Sequence, residues 1–276
     1  MSEHSTEFSH GMHVVHDGPR QAPPLLLIHG SGAAGTYWNP VLPALARHHH
    51  VIRIDLPGCG QSPPATSYDV PVQAGRVAAL LDDLGLRPVT VAGHSSGGYL
   101  ATALAEQRPD LARSLALISS GPSLDALLPQ PLLLRALLTP PLGPLLWAAR
   151  SDAMIRGQFD RICARPVDVP DDVVADLRRT TYPALRKVLR RSAAYLTERT
   201  LPARLAVLDV PVLVIFGAAE PRYAPSSVHQ YDVVPNARIE VLPGVGHLPM
   251  FEAPDVTSEL LLDFAARATE IPPIAP

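Results

Sequence analysis

The chain has 276 residues, long enough to bury a sizeable core in one large domain or in a domain with an insertion. Hydrophobic residues make up 47% of it and charged residues 18%, proportions typical of a folded globular protein rather than a disordered chain. The formal net charge of −3 argues against a nucleic-acid partner, and two cysteines, Cys59 and Cys163, are too few for a disulfide framework.

The sequence also bears on membrane association. Its first residues lack the basic start and apolar core of a signal peptide. The most apolar segment, residues 136–149, is too short to span a bilayer and contains three prolines. We therefore expect a soluble, cytoplasmic protein without a membrane span.

Short apolar runs alternate with helical patterns in the first part of the chain. Strands are predicted at 11–18 (an edge strand), 25–28, 51–55, 89–92 and 114–118, and helices at 38–46, 72–84 and 99–107. Strands that alternate with helices in this way form right-handed βαβ units, so the pattern predicts an α/β fold with a mostly parallel sheet.

The alternation stops after residue 120 and resumes at residue 210. Between them only helical stretches separated by prolines occur, at about 124–138, 143–163, 171–180, 182–197 and 199–208. Two more strands, at 210–217 and 238–242, and a helix at 254–268 complete the pattern. The predicted organisation is an α/β core in two parts, 1–121 and 210–276, with a helical cap at 122–209.

One motif marks a serine for catalysis. In Gly93-His94-Ser95-Ser96-Gly97 a buried strand turns directly into a helix. Gly93 and Gly97, two positions either side of Ser95, leave room where strand and helix close up. Ser95 is then held in a strained backbone conformation with the free N–H groups of the helix start behind it. This G-x-S-x-G pattern is typical of a nucleophile elbow.

Four motifs in order carry a resemblance to a known family. They are His29-Gly30-Ser31-Gly32, Asp55-Leu56-Pro57-Gly58-Cys59-Gly60-Gln61-Ser62, Gly93-His94-Ser95-Ser96-Gly97 and Gly246-His247. With them the chain resembles the α/β-hydrolase superfamily, of the serine-nucleophile type with a helical cap after strand six. The resemblance covers nearly everything outside the cap. It implies an eight-stranded-type sheet flanked by helices and a carboxylic ester hydrolase without cofactor or metal.

The resemblance also implies a catalytic triad. His247 stands where the family places the base that takes the serine proton. The acid that orients this base is usually an aspartate three residues beyond the glycine ending strand seven, and here Glu220 occupies that position. Its extra methylene changes its reach. Asp125, shortly after strand six, is the alternative acid, although it could simply begin the first cap helix.

An acyl-transfer site also needs backbone N–H groups aimed at the developing oxyanion, and losing one such donor costs about 10²–10³ in rate. The helix start places the Ser96 amide there, and the glycine-rich loop offers Ser31 or Gly32 as the second donor. A tract of three histidines, 48–50, lacks accompanying ligand spacing and is interpreted as a polar loop rather than a metal site.

The serine nucleophile excludes the family members that use aspartate, such as epoxide hydrolases and haloalkane dehalogenases. An acyl-serine intermediate is expected, and the leading hypothesis is hydrolysis of a small, largely apolar ester or lactone. The leucine-rich stretch from Leu132 to Trp147 is a candidate lining for its pocket.

Two alternatives stay open. The first is an acyl-thioesterase or acyl-transfer enzyme acting on a coenzyme A or carrier-protein substrate. It is suggested by a basic face at helical spacing in the cap, made of Arg186, Lys187, Arg190 and Arg191. The second is a carbon–carbon bond hydrolase or a non-hydrolytic protein that binds or cyclises a ligand. The glutamate at position 220 motivates the non-hydrolytic version.

Overall fold

The computed structural model describes residues 4–129, 139–235 and 237–270, and its centre is an eight-stranded sheet. The strands are β1 (His4–Ser9), β2 (Met12–Asp17), β3 (Pro24–Ile28), β4 (His50–Asp55), β5 (Val89–His94), β6 (Ala112–Ile118), β7 (Val212–Gly217) and β8 (Ala237–Leu242). Their order across the sheet is β1-β2-β4-β3-β5-β6-β7-β8. Strand β2 is antiparallel to both its neighbours, β1 and β4. The other six strands, β3 to β8, run parallel to one another. The predicted α/β fold with a mostly parallel sheet is confirmed.

Helices cover the sheet and fill the interval between β6 and β7. The α-helices are α1 (Leu42–Leu45), α2 (Val70–Asp83), α3 (Ser96–Gln107), α4 (Leu142–Ala148), α5 (Asp152–Ile162), α6 (Asp171–Arg179), α7 (Tyr182–Glu198), α8 (Leu201–Leu205), α9 (Pro249–Glu252) and α10 (Pro254–Glu270). Short 3-10 helices occupy Gly35–Trp38, Leu124–Ala126 and Pro225–Val233. Within the described ranges, no helix combines the length and apolar character that crossing a membrane requires.

The central strands are apolar on both faces because helices cover both. In β3, Leu26 and Ile28 belong to one buried cluster, which also contains residues of α2 and α3. Leu25 and Leu27 point to the opposite cluster, with residues of α1 and α10. This alternation is the two-residue period of a strand with a helical layer on each side.

Two predicted elements differ from the structure. Residues 11–18 were expected at the sheet edge, but β1 lies outside them and forms the edge itself. The side chains of β1 are exposed along nearly its whole length, and backbone pairing with β2 holds the strand in place. It therefore lacks the alternation of apolar residues from which a strand could be predicted. The helix expected at 38–46 is a 3-10 turn followed by the single turn of α1, with Pro40 and Pro43 interrupting a longer helix.

The cap helices also differ in detail. The helix expected at 124–138 begins only as a 3-10 turn, and residues 130–138 lie outside the described part of the chain. The stretch 143–163 forms two helices, because Ser151 caps α5 by accepting a hydrogen bond from Met154 N at 3.2 Å. Helices α4 to α8 lie between β6 and β7, as expected for an insertion. The domain boundaries at 121/122 and 209/210 stay a prediction.

Several histidines are buried in the core, including two of the tract 48–50. His49 and His50 are buried and His50 begins β4, so the polar-loop interpretation is wrong for them. Burial lowers the pKa of His50 to about 4. Burial also lowers the pKa of His16, His29, His49 and His94. These side chains are therefore neutral in the folded protein at neutral pH.

Stability is expected to fall in mildly acidic solution. Below about pH 6.5 the unfolded chain protonates these histidines while the folded chain does not, which favours unfolding by up to about 1.4 kcal/mol per pH unit for each. The loss continues until each folded-state pKa is reached. Urea unfolding between about pH 7.5 and 5.5 measures it. His50→Gln should reduce the dependence of the free energy of unfolding on pH, whereas the exposed control His229→Gln should not. A urea midpoint that does not change with pH would contradict the role of histidine burial.

Candidate active site

The parallel strands bring four loops to one edge of the sheet. The loops follow β3, β5, β7 and β8 and carry Gly30, Ser95, Glu220 and His247 respectively. Because the carboxyl ends of parallel strands meet at the same edge, these loops are neighbours. This edge is the candidate site.

Ser95 occupies the sharp turn between β5 and α3. Its backbone has φ +51° and ψ −119°, a conformation that a non-glycine residue adopts only under strain. Neighbouring backbone holds it there, because its N–H donates to Ile118 O at 2.8 Å and its carbonyl accepts from Gly98 N at 3.0 Å. The Ser120 hydroxyl donates a further hydrogen bond to the same carbonyl at 2.9 Å.

The glycines around Ser95 are sites of close approach. A Cβ atom on Gly93 would lie 2.4 Å from Gly97 O. One on Gly97 would lie 2.4 Å from Ile28 O at the end of β3. Backbone oxygens cannot move aside as a flexible side chain can, so both positions require glycine for the turn to form.

Replacement of Gly97 by alanine is therefore expected to lower the free energy of unfolding by about 2–4 kcal/mol. A matched control is Gly157→Ala in α5, where a Cβ meets no atom within 4 Å. That change should raise stability by about 0.5–1 kcal/mol, because alanine loses less backbone entropy on folding. Urea unfolding of both variants measures the difference. If Gly97→Ala were as stable as the parent protein, the close approach would be disproved.

Glu220 and His247 form a buried pair. Glu220 Oε2 lies 2.8 Å from His247 Nδ1, and both side chains are almost wholly excluded from solvent. The other carboxylate oxygen accepts a hydrogen bond from Arg222 N at 2.9 Å. The extra methylene of glutamate therefore does not prevent contact with the imidazole. With Nδ1 directed at the carboxylate, Nε2 is left free to accept a proton.

The other predicted acid lies elsewhere. Asp125 is exposed and sits in the first turn of the 3-10 helix Leu124–Ala126. Among the described residues no hydrogen bond or ion pair joins its carboxylate to His247. The structure thus gives Asp125 the helix-start position that was the simpler interpretation.

The residue before Ser95 is a histidine, His94, which contacts His247. His94 Nε2 donates a hydrogen bond to His247 O at 3.0 Å, and the two rings are 5.0 Å apart. Burial, followed by the charge of His247, lowers the pKa of His94 well below its usual value, so it stays neutral. No hydrogen bond joins the Ser95 hydroxyl itself to His247 in the described part of the chain.

A buried carboxylate that the sequence did not single out supports the His247 loop. Glu252 accepts hydrogen bonds from Gly246 N at 2.8 Å and from Leu248 N at 3.1 Å, on either side of the histidine. It also accepts one from Ala164 N at 2.6 Å, directly after α5 of the cap. His247 N in turn donates to Ile162 O at 2.8 Å. Both cap and core therefore hold the loop.

The two candidate donors in the glycine-rich loop differ. Burial raises the pKa of the Cys59 thiol and the Gly32 amide acts in the opposite direction, so this amide lies close to Cys59. No described residue accepts a hydrogen bond from the Ser31 amide, whose side-chain hydroxyl donates to Ser96 Oγ at 2.8 Å. Ser96 is the first residue of α3, where backbone N–H groups have no partner within the helix. The Ser96 amide, with the amide of Ser31 or Gly32, therefore stays the predicted pair of donors beside Ser95.

His29 fixes this loop to the sheet. Its Nε2 accepts a hydrogen bond from Leu56 N at 2.9 Å, and its Nδ1 donates to Gly30 O at 2.7 Å. Full burial lowers its pKa, which keeps Nε2 available as an acceptor. The loop is therefore held in place before any ligand binds.

Neither cysteine competes with Ser95 as a nucleophile. Burial raises the pKa of Cys59 to about 12. Burial and then the charge of Glu252 raise the pKa of Cys163 as well. Thiols with raised pKa values carry little thiolate at neutral pH and react slowly. In the described ranges no group of three or more histidine, cysteine, aspartate or glutamate side chains is arranged to hold a metal ion.

The predicted cap features are placed unevenly. The first part of the leucine-rich stretch, residues 132–138, falls outside the described residues. Farther along it Leu145 is 69% exposed and Leu146 is 38% exposed, so these two leucines are at the surface. A buried aromatic cluster is formed by Tyr37, Phe159 and Phe251, whose ring centroids lie 5.4–5.7 Å apart, and the Tyr37 ring lies 6.5 Å from that of His94.

The basic face of α7 is at the surface. Arg186, Lys187, Arg190 and Arg191 are all exposed. Arg191 pairs with Asp69 at 3.0 Å, while no described acid pairs with the other three.

Comparison with known proteins agrees with this geometry. A family model described as the alpha/beta hydrolase family matches residues 25–260. A pimeloyl-acyl-carrier-protein methyl ester esterase of Neisseria meningitidis is 32% identical over 251 residues, covering 86% of this chain and 91% of that protein.

Two solved structures show the same fold. The N-acyl homoserine lactonase AidH, complexed with N-butanoyl homoserine, has a TM-score of 0.80 at 21% identity, covering 99% of this chain and 100% of that one. The 2-hydroxy-6-oxo-6-phenylhexa-2,4-dienoate hydrolase of Rhodococcus sp. strain RHA1 has a TM-score of 0.74 at 22% identity, covering 96% and 99%.

Proposed function

Because the chain is an enzyme of the α/β-hydrolase family, with ester-cleaving relatives, we propose that Ser95, His247 and Glu220 act as a catalytic triad. The observation that carries this proposal is the buried contact of 2.8 Å between Glu220 Oε2 and His247 Nδ1. With Nδ1 engaged by the carboxylate, Nε2 is the ring nitrogen left to accept the proton of Ser95. The hydrogen bond between nucleophile and base forms when substrate is bound, as apo sites often leave it open.

In acylation, Ser95 Oγ attacks the ester carbonyl carbon while its proton passes to His247 Nε2. The resulting imidazolium is stabilised by the Glu220 carboxylate. The Ser31 and Ser96 amides donate to the oxyanion of the tetrahedral intermediate. The carbon–oxygen bond to the leaving alcohol then breaks, the alcohol takes the proton from Nε2, and an acyl-serine remains.

In deacylation, water attacks the acyl-serine carbonyl and gives a proton to His247 Nε2. The same two amides bind the second oxyanion. Its collapse breaks the bond to Ser95 Oγ, which recovers the proton from Nε2, and the carboxylic acid leaves. Atoms and charge balance without a metal or cofactor.

The proposed substrate is a small, largely apolar ester or lactone. The buried aromatic cluster of Tyr37, Phe159 and Phe251 beside His94 supports an apolar acyl group. The relative named for cleaving a methyl ester supports an ester rather than an amide.

A second candidate is an acyl group attached to a carrier protein or to coenzyme A. Two observations favour it: the exposed cations of α7, and the carrier-protein substrate in the name of the 32%-identical relative. Basic surface residues steer acidic partners and raise the association rate. Neutralising Arg186, Arg190 and Arg191 together should then lower kcat/KM for a carrier-bound acyl group about tenfold or more at low salt, with free esters unaffected. Equal rates would exclude this candidate.

The test of the leading proposal is a substrate panel together with an active-site label. p-Nitrophenyl esters of increasing chain length, γ-lactones, acyl thioesters and a diketone are compared by kcat/KM. A fluorophosphonate probe should label the parent protein and leave the Ser95→Ala variant unlabelled. Absence of a Ser95-dependent adduct would overturn the acyl-serine mechanism. The carbon–carbon and non-hydrolytic alternatives stay predictions, for which the diketone and ligand-binding assays are the tests.

A further inference from the structure

The cap contains a pocket of about 300 Å³ that the triad does not use. It lies where the end of α4, the end of α6 and the start of α7 meet. Its lining includes Trp147, Arg150, Arg178, Arg179, Thr181 and Tyr182. Three of these side chains are cationic, and none is acidic.

Arg150 is the unusual member of this lining. The residue is only 7% exposed, yet among the described residues no carboxylate pairs with its guanidinium. The two neighbouring cations differ from it, because Arg178 pairs with Asp152 and Arg179 with Asp176. Buried arginines normally have an anionic partner, since an isolated buried charge is expensive.

The guanidinium of Arg150 is also fixed in position. Its Cζ lies 3.2 Å from the centroid of the Trp147 ring, and its Nε donates to Trp147 O at 3.0 Å. Burial and then the charge of Arg178 lower the pKa of Arg150 to about 10, so it remains protonated at neutral pH. With Nε engaged by Trp147 O, the terminal N–H groups are the ones left to bind an oxyanion, which a guanidinium can do through two hydrogen bonds.

A second polar group in the pocket has no partner. The Tyr182 hydroxyl is buried and makes no hydrogen bond with the described part of the chain. Its ring lies 6.3 Å from that of Trp147, so it belongs to the same wall as Arg150. Buried hydroxyl groups are nearly always hydrogen-bonded, and one that is not points to a ligand or water.

We propose that this cap pocket binds the oxyanion group, a carboxylate or a phosphate, of a small ligand through Arg150 and Tyr182. The pocket adjoins the glycine-rich loop after β3, because the hydroxyl of Thr180 in its wall donates to Gly32 O at 3.4 Å. The anion comes either from the far end of the substrate or from a separate small molecule.

Tryptophan fluorescence reports on the pocket directly. The chain has two tryptophans; Trp38 is fully buried in the core and Trp147 forms the pocket wall. Titration with inorganic phosphate and with butyrate, at ionic strength held constant with sodium chloride, should give a saturable change in emission. Trp147→Phe should abolish the signal. Arg150→Gln should raise the dissociation constant about tenfold or more, and Tyr182→Phe about threefold.

The matched control is Arg161→Gln, which removes an exposed cation of α5 outside the pocket and should leave binding unchanged. Retained hydrolysis of a neutral ester by Arg150→Gln shows that this variant is folded. A parent protein that responds to phosphate and butyrate no more than to chloride overturns the proposal. So does an Arg150→Gln variant that binds as the parent does.

Kinetics separate the two sources of the anion. If the substrate carries it, Arg150→Gln lowers kcat/KM for an ester whose acyl chain ends in a carboxylate and spares the neutral ester of equal length. If a separate molecule carries it, both esters are unaffected while phosphate binding is lost. The titration can be repeated in Ser95→Ala, so its result is independent of the proposed triad.

Discussion

The Ser95→Ala variant is expected to lose ester hydrolysis by about 10⁵–10⁶ in kcat, with KM changed little. Alanine has no oxygen to attack the carbonyl, whereas the backbone amides of Ser31 and Ser96 remain to bind substrate and polarise it. Because of these amides, the variant should still hydrolyse the ester faster than the uncatalysed reaction in water. Serine and alanine are about equally strained at φ +51°. The free energy of unfolding of the variant should therefore lie within about 1 kcal/mol of that of the parent protein.

The measurement is hydrolysis of the best ester from the panel, under conditions in which spontaneous hydrolysis is subtracted. Ser226→Ala is the matched control, since Ser226 is an exposed serine in the 3-10 helix Pro225–Val233 and is not among the proposed catalytic residues. A Ser95→Ala protein with more than about one hundredth of the parental rate would contradict the nucleophile assignment. Thermal unfolding of both variants excludes a loss of structure as the cause.

The second large effect is expected at Glu220. Glu220→Gln should lower kcat by about 10⁴, because an amide can hold His247 in the wrong tautomer and does not stabilise the imidazolium. Glu220→Asp keeps the charge and withdraws it from His247 Nδ1 by one methylene. An intermediate loss, about 10²–10³, is expected for that variant.

Asp125→Asn is the matched control for this pair, because it removes the other candidate carboxylate from an exposed position. Its kcat should equal that of the parent. The assignment would be reversed if Asp125→Asn lost activity while Glu220→Gln stayed within tenfold of the parent. A pH profile of kcat for Glu220→Asp adds a readout that a purely structural role would not change.

Local patterns explain which parts of the site the sequence could predict. The close approach of Gly93 and Gly97 to backbone atoms is a constraint within one turn, so glycine spacing alone identifies the serine between them. Glu220 was predicted differently, because the resemblance to the family implies an acid three residues beyond the glycine that ends β7. The serine motif is a property of a few consecutive residues, whereas the role of Glu220 is not marked by any local pattern.

Features that depend on distant backbone were not accessible in this way. Glu252 accepts hydrogen bonds from the backbone amides of residues 164, 246 and 248. Nearly every residue type has such an amide, so the sequence does not indicate that these three are used. β1 pairs through its backbone while exposing its side chains, so hydrophobic periodicity could not find it.

The shared support of the His247 loop limits how this protein can be recombined with its relatives. His247 N is bound by Ile162 O, and Glu252 reaches across to Ala164 N. A chimera that replaces the whole interval between β6 and β7 exchanges those partners together with helices α4 to α8. Residues 162–164 should therefore be kept from the parent protein in such a graft. A junction placed before Ile162 exchanges α4 and most of α5 while the His247 loop keeps its original contacts.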